Sequence, residues 1–351
     1  MIAANLRASP PLPPVRDPGP SLRLVSPEGT KLVVIIPALN EERTIGDVIR
    51  RLPRDMAGVD QLEVVVVDDG SRDQTGRIAS ELGAIVVRHP RPSGVGSAFQ
   101  SGLRTAIELG AEIVVNIDGD GQFAPEDIPK LIAPILDGRA DFATASRFLD
   151  PALVPQMPAV KRWGNRQMSR LISTLTGSKF YDVSCGMRAY NRRAALSLSL
   201  VGSFTYTQEV FLNLTTKKMN ILEIPIVVRG EREFGKSRVA SSIWRYATNT
   251  AKIIFRCYRD YYSMSFFGAI ATALVGAGTA LLGFLMIHYL RVGSFSPHKW
   301  AGFSGATLLG LGVLSLLMGM LGDMLNRHRV YLEEILYHVR AQGNYGTRRN
   351  G

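Results

Sequence analysis

Two carboxylates two residues apart, Asp118 and Asp120, follow an apolar run in the segment Asp118-Gly119-Asp120-Gly121-Gln122. At a strand end such a pair can hold a hard divalent cation, Mg²⁺ or Mn²⁺, which in turn grips a diphosphate, and the Gln122 amide can supply a third oxygen. A calcium loop fails on spacing, because the twelfth position from Asp118 is Pro129 rather than Glu. A plain acidic turn is the bland alternative for this segment taken alone. It does not stand alone. Pro37-Ala38-Leu39-Asn40-Glu41-Glu42, Val67-Asp68-Asp69-Gly70-Ser71 and Ser146-Arg147-Phe148 punctuate the same stretch of chain. The five histidines show no metal-ligand spacing near the acids, and nothing marks Cys185 as a nucleophile.

The elements that must position these residues alternate between strand and helix patterns. Residues 31–37 (KLVVIIP), 62–67 (LEVVVV) and 112–117 are continuous apolar, largely β-branched runs, as in strands covered on both faces. Shorter strands are expected at 84–88 and 140–145, and helices at 41–52, 73–82 and 97–109. This order predicts an α/β fold with a mostly parallel sheet and helices on both faces. In such sheets ligands sit beyond the carboxyl ends of the strands, where Asn40/Glu41, Asp68/Asp69 and Asp118/Asp120 all fall. Residues 146–240 read as less regular and richer in Arg and Lys, and continue the same domain.

Composition narrows the class. The chain has 351 residues, 46% of them hydrophobic, which is enough for a real core and excludes wholesale disorder. Two cysteines cannot build a disulfide framework or a Cys-based zinc site. Net charge +11 points to nucleic acid, an anionic membrane or an anionic substrate. No helix-turn-helix, zinc-finger or RNP pattern is present, so nucleic acid is not expected as a partner. Residues 1–30 hold seven prolines and no continuous apolar stretch, and read as a disordered tail rather than a secretory signal.

From residue 241 the character changes. Residues 241–262 mix Trp244, Ile253, Ile254 and Phe255 with Arg245, Lys252, Arg256 and Arg259, the pattern of an interfacial amphipathic helix. Residues 263–290 and 301–325 are almost free of charge and longer than the roughly 20 residues a membrane-spanning helix needs. Both are rich in glycine, which lets membrane helices approach closely in a hairpin or a homo-oligomer contact. Arginines flank the pair on the outer sides, so the positive-inside rule predicts a cytosolic catalytic domain, both termini in the cytosol, and 326–351 as a cytosolic tail.

The motifs, in this order and spacing, resemble the family 2 glycosyltransferases of GT-A fold, and within them the dolichyl- and polyprenyl-phosphate mannose synthase branch. The resemblance covers roughly residues 31–242, and the two C-terminal spans match its membrane-anchored members. It implies that Pro37, Leu39, Asn40, Glu41, Val67 and Asp69 line the nucleotide pocket with Asp118. It implies a metal and diphosphate site at Asp118, Asp120 and Gln122, and a lipid-phosphate contact at Arg147. Arg232-Glu233-Phe234-Gly235-Lys236-Ser237-Arg238 resembles the family's R-x-x-G-x-S-K, which assigns Arg232 and Ser237 to phosphate. Asp182-Val183-Ser184-Cys185-Gly186-Met187-Arg188 resembles its acceptor loop, Glu209 matches the next acidic position, and Arg162 and Arg166 lie where a further phosphate-binding arginine is expected. Two departures bear on the donor: Leu39 replaces a Tyr, and Pro92-Ser93-Gly94-Val95-Gly96 lacks the lysine of N-x-G-K-G.

The implied reaction is inverting, metal-dependent transfer of a hexose from a nucleotide sugar to a polyprenyl phosphate at the cytosolic membrane face. GDP-mannose is the first guess for donor, with UDP-glucose or a UDP-amino sugar close behind. A phosphate monoester, with a second pKa of about 6, is largely ionised at neutral pH and needs charge compensation more than a general base. Acids on one side of the site and arginines on the other provide for that. A polysaccharide acceptor would call for a longer membrane channel and a Q-x-x-R-W motif, which the chain lacks. A silent membrane scaffold is disfavoured by the intact Asp118, Asp120 and Arg147.

Overall fold

The computed structural model describes residues 29–155, 157, 159–200, 206–229, 252, 255–256, 258–260 and 262–347. The expected Pro-rich tail, the heart of the expected interfacial helix, and Arg232 and Ser237 lie outside the described residues.

The catalytic part is built on strands β1 (Lys31–Ala38), β2 (Gln61–Asp68), β3 (Ile85–Arg88), β4 (Ile113–Asn116), β5 (Phe142–Ser146), β6 (Arg188–Asn191) and β7 (Ile221–Pro225). They form one sheet in the order β3-β2-β1-β4-β6-β5-β7. All neighbours are parallel except that β6 runs against both β4 and β5. The helices are α1 (Ile45–Arg50), α2 (Thr75–Glu81), α3 (Val95–Glu108), α4 (Ile128–Leu136), α5 (Ala159–Thr176), α6 (Arg192–Ser197) and α7 (Thr207–Thr216).

The apolar runs fall where both sheet faces are covered. Successive side chains of β1 alternate between two cores: Leu32, Val34 and Ile36 pack with α1 and α4, while Val33 and Ile35 pack with α3, α6 and α7. All five are 0% exposed, which is why the strand carries no polar alternation. The mostly parallel sheet is the one the sequence predicts. The region expected to be irregular, 146–240, instead supplies α5, β6, α6, α7 and β7. Its strands are short, and β6 reads Arg-Ala-Tyr-Asn, so neither length nor hydrophobicity marks it in the sequence.

Two further helices follow, α8 (Ser263–Val292) and α9 (Lys299–Thr347). Each contains a window apolar enough to cross a membrane, and these windows are only 11% and 17% buried within the chain, unlike the core helices of a soluble protein. They pack antiparallel along a glycine seam. A Cβ on Gly278 would stand 2.8 Å from the Gly305 carbonyl, one on Gly312 2.6 Å from Val275, and one on Gly322 2.7 Å from Ser263. Gly268, Gly276, Gly283 and Gly310 face open space.

The stretch expected as a cytosolic tail, 326–351, continues α9 as helix through Thr347. α9 has 49 residues, about 73 Å at 1.5 Å per residue, more than twice the roughly 30 Å of a bilayer core. Its distal part docks on the catalytic domain. Glu333 pairs with Lys217 at 2.9 Å, Arg340 Nη1 donates to the carbonyls of Leu196 and Leu198 at the end of α6, and Tyr337 and Ala341 pack on the α3/α6/α7 core. Arg340 places a cation on the negative end of α6.

Candidate active site

The C-terminal ends of β1, β2 and β4 meet, and the loops leaving them are bonded to one another. Asp69 N donates to Ala38 O at 2.9 Å, Gly119 N to Pro37 O at 3.4 Å, and Thr44 Oγ1 to Gly119 O at 2.7 Å. Asn40 adopts φ 51°, a left-handed conformation that asparagine tolerates better than most residues. There its N–H donates to Ser71 Oγ and its Oδ1 accepts from Arg72 N. The Asn of this motif is therefore required by the turn and joins the first loop to the second. Glu41 N donates to Thr75 Oγ1, extending that join. Pro37 and Val67 sit at matching register on adjacent strands, with Val67 fully buried in the core. Leu39 is the first residue after β1, in the first loop.

Asp120 is 3% exposed and its Oδ1 accepts the Gln122 N–H. Asp118 lies against the loop at 182–187: a Cβ on Gly186 would run into the Asp118 carboxylate. Gly186 thus makes room for the first carboxylate. Gln122 Nε2 donates to Arg229 O, and Arg229 N to Gln122 O, so the chain entering the Arg232 segment runs beside the acidic loop. Among the described residues no group of three or more His, Cys, Asp or Glu is gathered to hold a metal. The oxygen-only donor set of Asp118, Asp120 and Gln122 fits Mg²⁺ or Mn²⁺, with the rest of the shell left to phosphate and water.

On the acceptor side Asp182 is fully buried and takes four donors: Arg147 N, Nε and Nη2, and Ser184 N. The Nε and Nη2 bonds, 2.6 and 2.9 Å, make a bidentate pair that fixes the guanidinium plane. Behind it the Glu223 carboxylate accepts from Tyr181 N and Asp182 N. Burial pushes the Glu223 carboxyl above the ordinary carboxylate range despite these bonds.

Several predicted residues are bonded or buried within the fold. Arg188 is 0% exposed, and its guanidinium donates to the carbonyls of Cys185, Val183 and Thr207 among the rings of Phe142, Tyr206 and Phe211. It shapes the acceptor loop from inside. Both Asp69 oxygens are engaged: Oδ1 lies 2.7 Å from His89 Nδ1 and accepts Ser93 N, and Oδ2 accepts Gly94 N. Asp69 therefore pins the loop at 93–94 ahead of α3. Glu209 is buried in the first turn of α7. Arg162 and Arg166 are exposed on α5. Cys185 is buried and its thiol is pushed up to about 12 by desolvation, which suits no nucleophile.

Sequence reasoning missed the residues around a cavity of about 560 Å³ beside the ends of β2 and β3, lined by Arg72, Arg88, His89 and Arg91 among others. Two of these residues face acids of the β2 end: Arg88 lies 3.5 Å from Asp68 and His89 2.7 Å from Asp69. Their signal was the basic run Arg88-His89-Pro90-Arg91 directly after a strand.

Comparison with known proteins agrees with this geometry. Residues 33–198 match the Glycosyl transferase family 2. The chain is 34% identical over 215 residues to a UDP-N-acetylglucosamine–dolichyl-phosphate N-acetylglucosaminyltransferase of Methanococcus voltae, covering 56% of this chain and 84% of that one. It is 31% identical to a polyprenol monophosphomannose synthase of Mycolicibacterium smegmatis, covering 62% and 84%. An undecaprenyl-phosphate 4-deoxy-4-formamido-L-arabinose transferase of Klebsiella pneumoniae is 25% identical over 89% of this chain and 96% of its own. Among solved structures, glucosyl-3-phosphoglycerate synthase from Mycobacterium tuberculosis, in complex with Mn²⁺, UDP-glucose and phosphoglyceric acid, superposes with TM-score 0.50 at 25% identity, covering 65% and 80%.

Proposed function

From the premise that this chain belongs to glycosyl transferase family 2, we propose that it transfers one sugar from a nucleotide donor to a polyprenyl phosphate at the cytosolic membrane face. The three relatives above differ in sugar and share a polyisoprenoid phosphate or polyprenol product. The acceptor class is therefore the better supported half of the reading. The observation that carries it is the bonding of an acid-lined sugar-nucleotide site to a membrane hairpin. Tyr262, the residue before α8, donates its hydroxyl to Leu175 O near the end of α5 at 2.8 Å. α5 in turn holds the Asp182 loop through Asn165, Ser169 and Ser173.

In this reading Pro37, Leu39, Asn40 and Glu41 form the donor wall, with Val67 and Asp69 behind it. Asp118, Asp120 and Gln122 hold Mg²⁺ or Mn²⁺. When bound, the cation neutralises the diphosphate that leaves. Arg147, aligned by Asp182, orients the acceptor phosphate, Arg232 adds to its neutralisation, and the Ser237 hydroxyl donates a hydrogen bond to it. Bringing an ionised phosphate to the anomeric carbon beside a diphosphate is opposed by charge repulsion, so fixed cations aimed at the oxygens lower the barrier. Attack on the face opposite the leaving group inverts the anomeric centre. With fewer than three acids gathered among the described residues, cation and nucleotide are expected to bind together.

The test is a donor screen on the purified membrane protein. Radiolabelled GDP-mannose, UDP-glucose and UDP-N-acetylglucosamine are offered with a short polyprenyl phosphate and Mg²⁺ or Mn²⁺, and label is counted in the organic phase. GDP-mannose remains the first guess, with the two UDP sugars close behind. Label from one donor identifies the sugar, and EDTA should abolish it. Asp120→Ala should lower turnover by about 10²–10³ or more while the protein stays in the membrane. Near-normal transfer by that variant would remove the metal role.

A further inference from the structure

Asn116, the last residue of β4, has no part in the proposed chemistry. It is fully buried, and Asp118 follows two residues later. Its Nδ2 donates to Gly186 O at 2.7 Å and to the Tyr206 hydroxyl oxygen at 2.9 Å. A carbonyl can only accept, so Gly186 O fixes which end of the amide faces it. Asn116 Oδ1 is left with no hydrogen-bond partner among the described residues. An unmet amide oxygen in the core works against folding, so the amide calls for an explanation other than stability.

The residues it joins supply one. Gly186 belongs to the loop at 182–187, whose Asp182 holds Arg147. Tyr206, stacked on Phe99 at 4.1 Å, stands at the start of α7. The inner carbonyls of the loop are met from within the core: Arg188 takes those of Val183 and Cys185, and Asn116 takes that of Gly186. Arg188 and Asn116 are register partners on β6 and β4. Arg188 reaches the loop from the strand that directly follows it. Asn116 reaches it from 70 residues away, on the strand that runs into the acidic loop. Gly186 is also where the loop meets Asp118, because a Cβ there would run into that carboxylate. A glycine is little restrained by its own backbone, so the Asn116 amide decides where this carbonyl points.

We propose that Asn116 is a positioning residue for the transfer step: by fixing Gly186 it sets the placement of Asp118 relative to the Arg147–Asp182 pair. The inference rests on the proposed function, in which Asp118 serves the leaving diphosphate and Arg147 the attacking phosphate. Each half of the site has contacts of its own. The acidic loop is bonded to β1 through Gly119 and Thr44, and Asp182 is bonded to Arg147 and Glu223. Without the amide both halves persist, and what is lost is their register. Misplacing reacting groups by about 1 Å costs on the order of 10²-fold in rate. Turnover should therefore fall while each ligand still binds.

The experiment compares Asn116→Leu with Val114→Ala in the detergent-solubilised full chain. Val114 is fully buried on the same strand, and its truncation opens a cavity without removing a bond to the loop. Calorimetric titrations with Mn²⁺ plus UDP or GDP, and with farnesyl phosphate, give the affinities and the fraction of competent sites. Transfer is counted with the donor that labels lipid in the wild type and is expressed per nucleotide-binding site. Hydrogen exchange is followed across 182–187. In Asn116→Leu, kcat per site should fall about tenfold or more while both affinities stay within about threefold. Exchange across 182–187 should be several-fold faster in that variant, and in Val114→Ala it should match the wild type. Unchanged kcat per site in Asn116→Leu, an equal fall in Val114→Ala, or affinities that drop in step with kcat would overturn the assignment. If Asn116→Leu does not fold, Asn116→Ser, which withdraws the amide and leaves room for water, is held to the same outcomes. A wild type that labels no lipid from any donor would sink the proposed function instead. Exchange then decides the loop assignment, and unchanged protection across 182–187 without the amide would overturn it.

Discussion

In the proposed reaction the acceptor phosphate meets Arg147, whose guanidinium plane is set by Asp182. The carboxylate is fully buried and its partner about one-fifth exposed, so the pair is screened little by solvent. Lysine at position 147 keeps the charge but loses the fork that meets two oxygens at once. Arg147→Lys is expected to lower kcat/KM for the lipid phosphate about tenfold or more, equivalent to about 1.4 kcal/mol, with donor KM little changed. Steady-state kinetics with acceptor and donor varied separately would check it. Glu223, behind the pair, gives a pH test. Its folded-state carboxyl is raised by burial, so its contribution to stability is present below the ordinary carboxylate pKa and is lost as pH rises through the raised value. The Tm of the wild type minus that of Glu223→Gln should therefore fall as pH climbs out of the carboxylate range, then level off. A difference that rises over that range would contradict the sign.

At the scale of elements, the hairpin depends on which glycines face the partner helix. The Gly278 seam position meets the backbone carbonyl of Gly305, which cannot move aside as a side chain could. Gly278→Leu is expected to destabilise the protein in detergent by about 1–3 kcal/mol through overpacking. Gly276→Leu, two residues away and facing open space, should be close to neutral. Thermal unfolding of the two variants side by side separates packing from helix propensity, since both replace a helical glycine. Equal losses would mean that the close approach contributes little. Helix α5 makes the complementary case: its buried face is fixed by Ile172 and its neighbours, and its outer face is left to the surroundings.

At the scale of the molecule, α9 joins membrane and catalytic domain as one continuous helix. The Lys217–Glu333 pair, 21% and 16% exposed, sits where α9 meets the end of α7. Desolvation is the main influence on Lys217 and lowers its pKa, partly opposed by Glu333. Removing Lys217 leaves Glu333 only the longer 3.6 Å contact with Arg329, and removing Glu333 leaves Lys217 without its 2.9 Å carboxylate. Lys217→Met is expected to cost about 2–3 kcal/mol, and the double variant Lys217→Met with Glu333→Met should recover most of it. A double-mutant cycle on Tm reads the coupling, and additive losses would show that the pair does not hold the dock. Truncation after residue 329 removes Tyr337, Arg340 and Ala341 from the α6 surface and should lower the Tm of the catalytic domain while membrane insertion persists.

The sequence by itself determined the parts governed by local chemistry. Two-faced burial made β1, β2 and β4 readable as unbroken apolar runs, and their ends located the Asp118/Asp120 loop and the Asn40 turn. The charge-free stretches gave the hairpin, because a bilayer tolerates little else. What needed tertiary structure was every role set by a distant neighbour. Arg188 looks like a ligand-binding arginine in sequence, yet is taken up by carbonyls brought to it by the loop at 183–185 and by Thr207. Asp69 is engaged by His89 and by N–H groups more than 20 residues away. The distal part of α9 reads as a polar tail because its anchoring groups are single residues, Glu333, Tyr337 and Arg340, each meaningful only against a surface formed by residues 196–217. Periodicity reports which residues share a face, while the partner of that face is set by the folded chain, and charges in particular take their function from what stands opposite them.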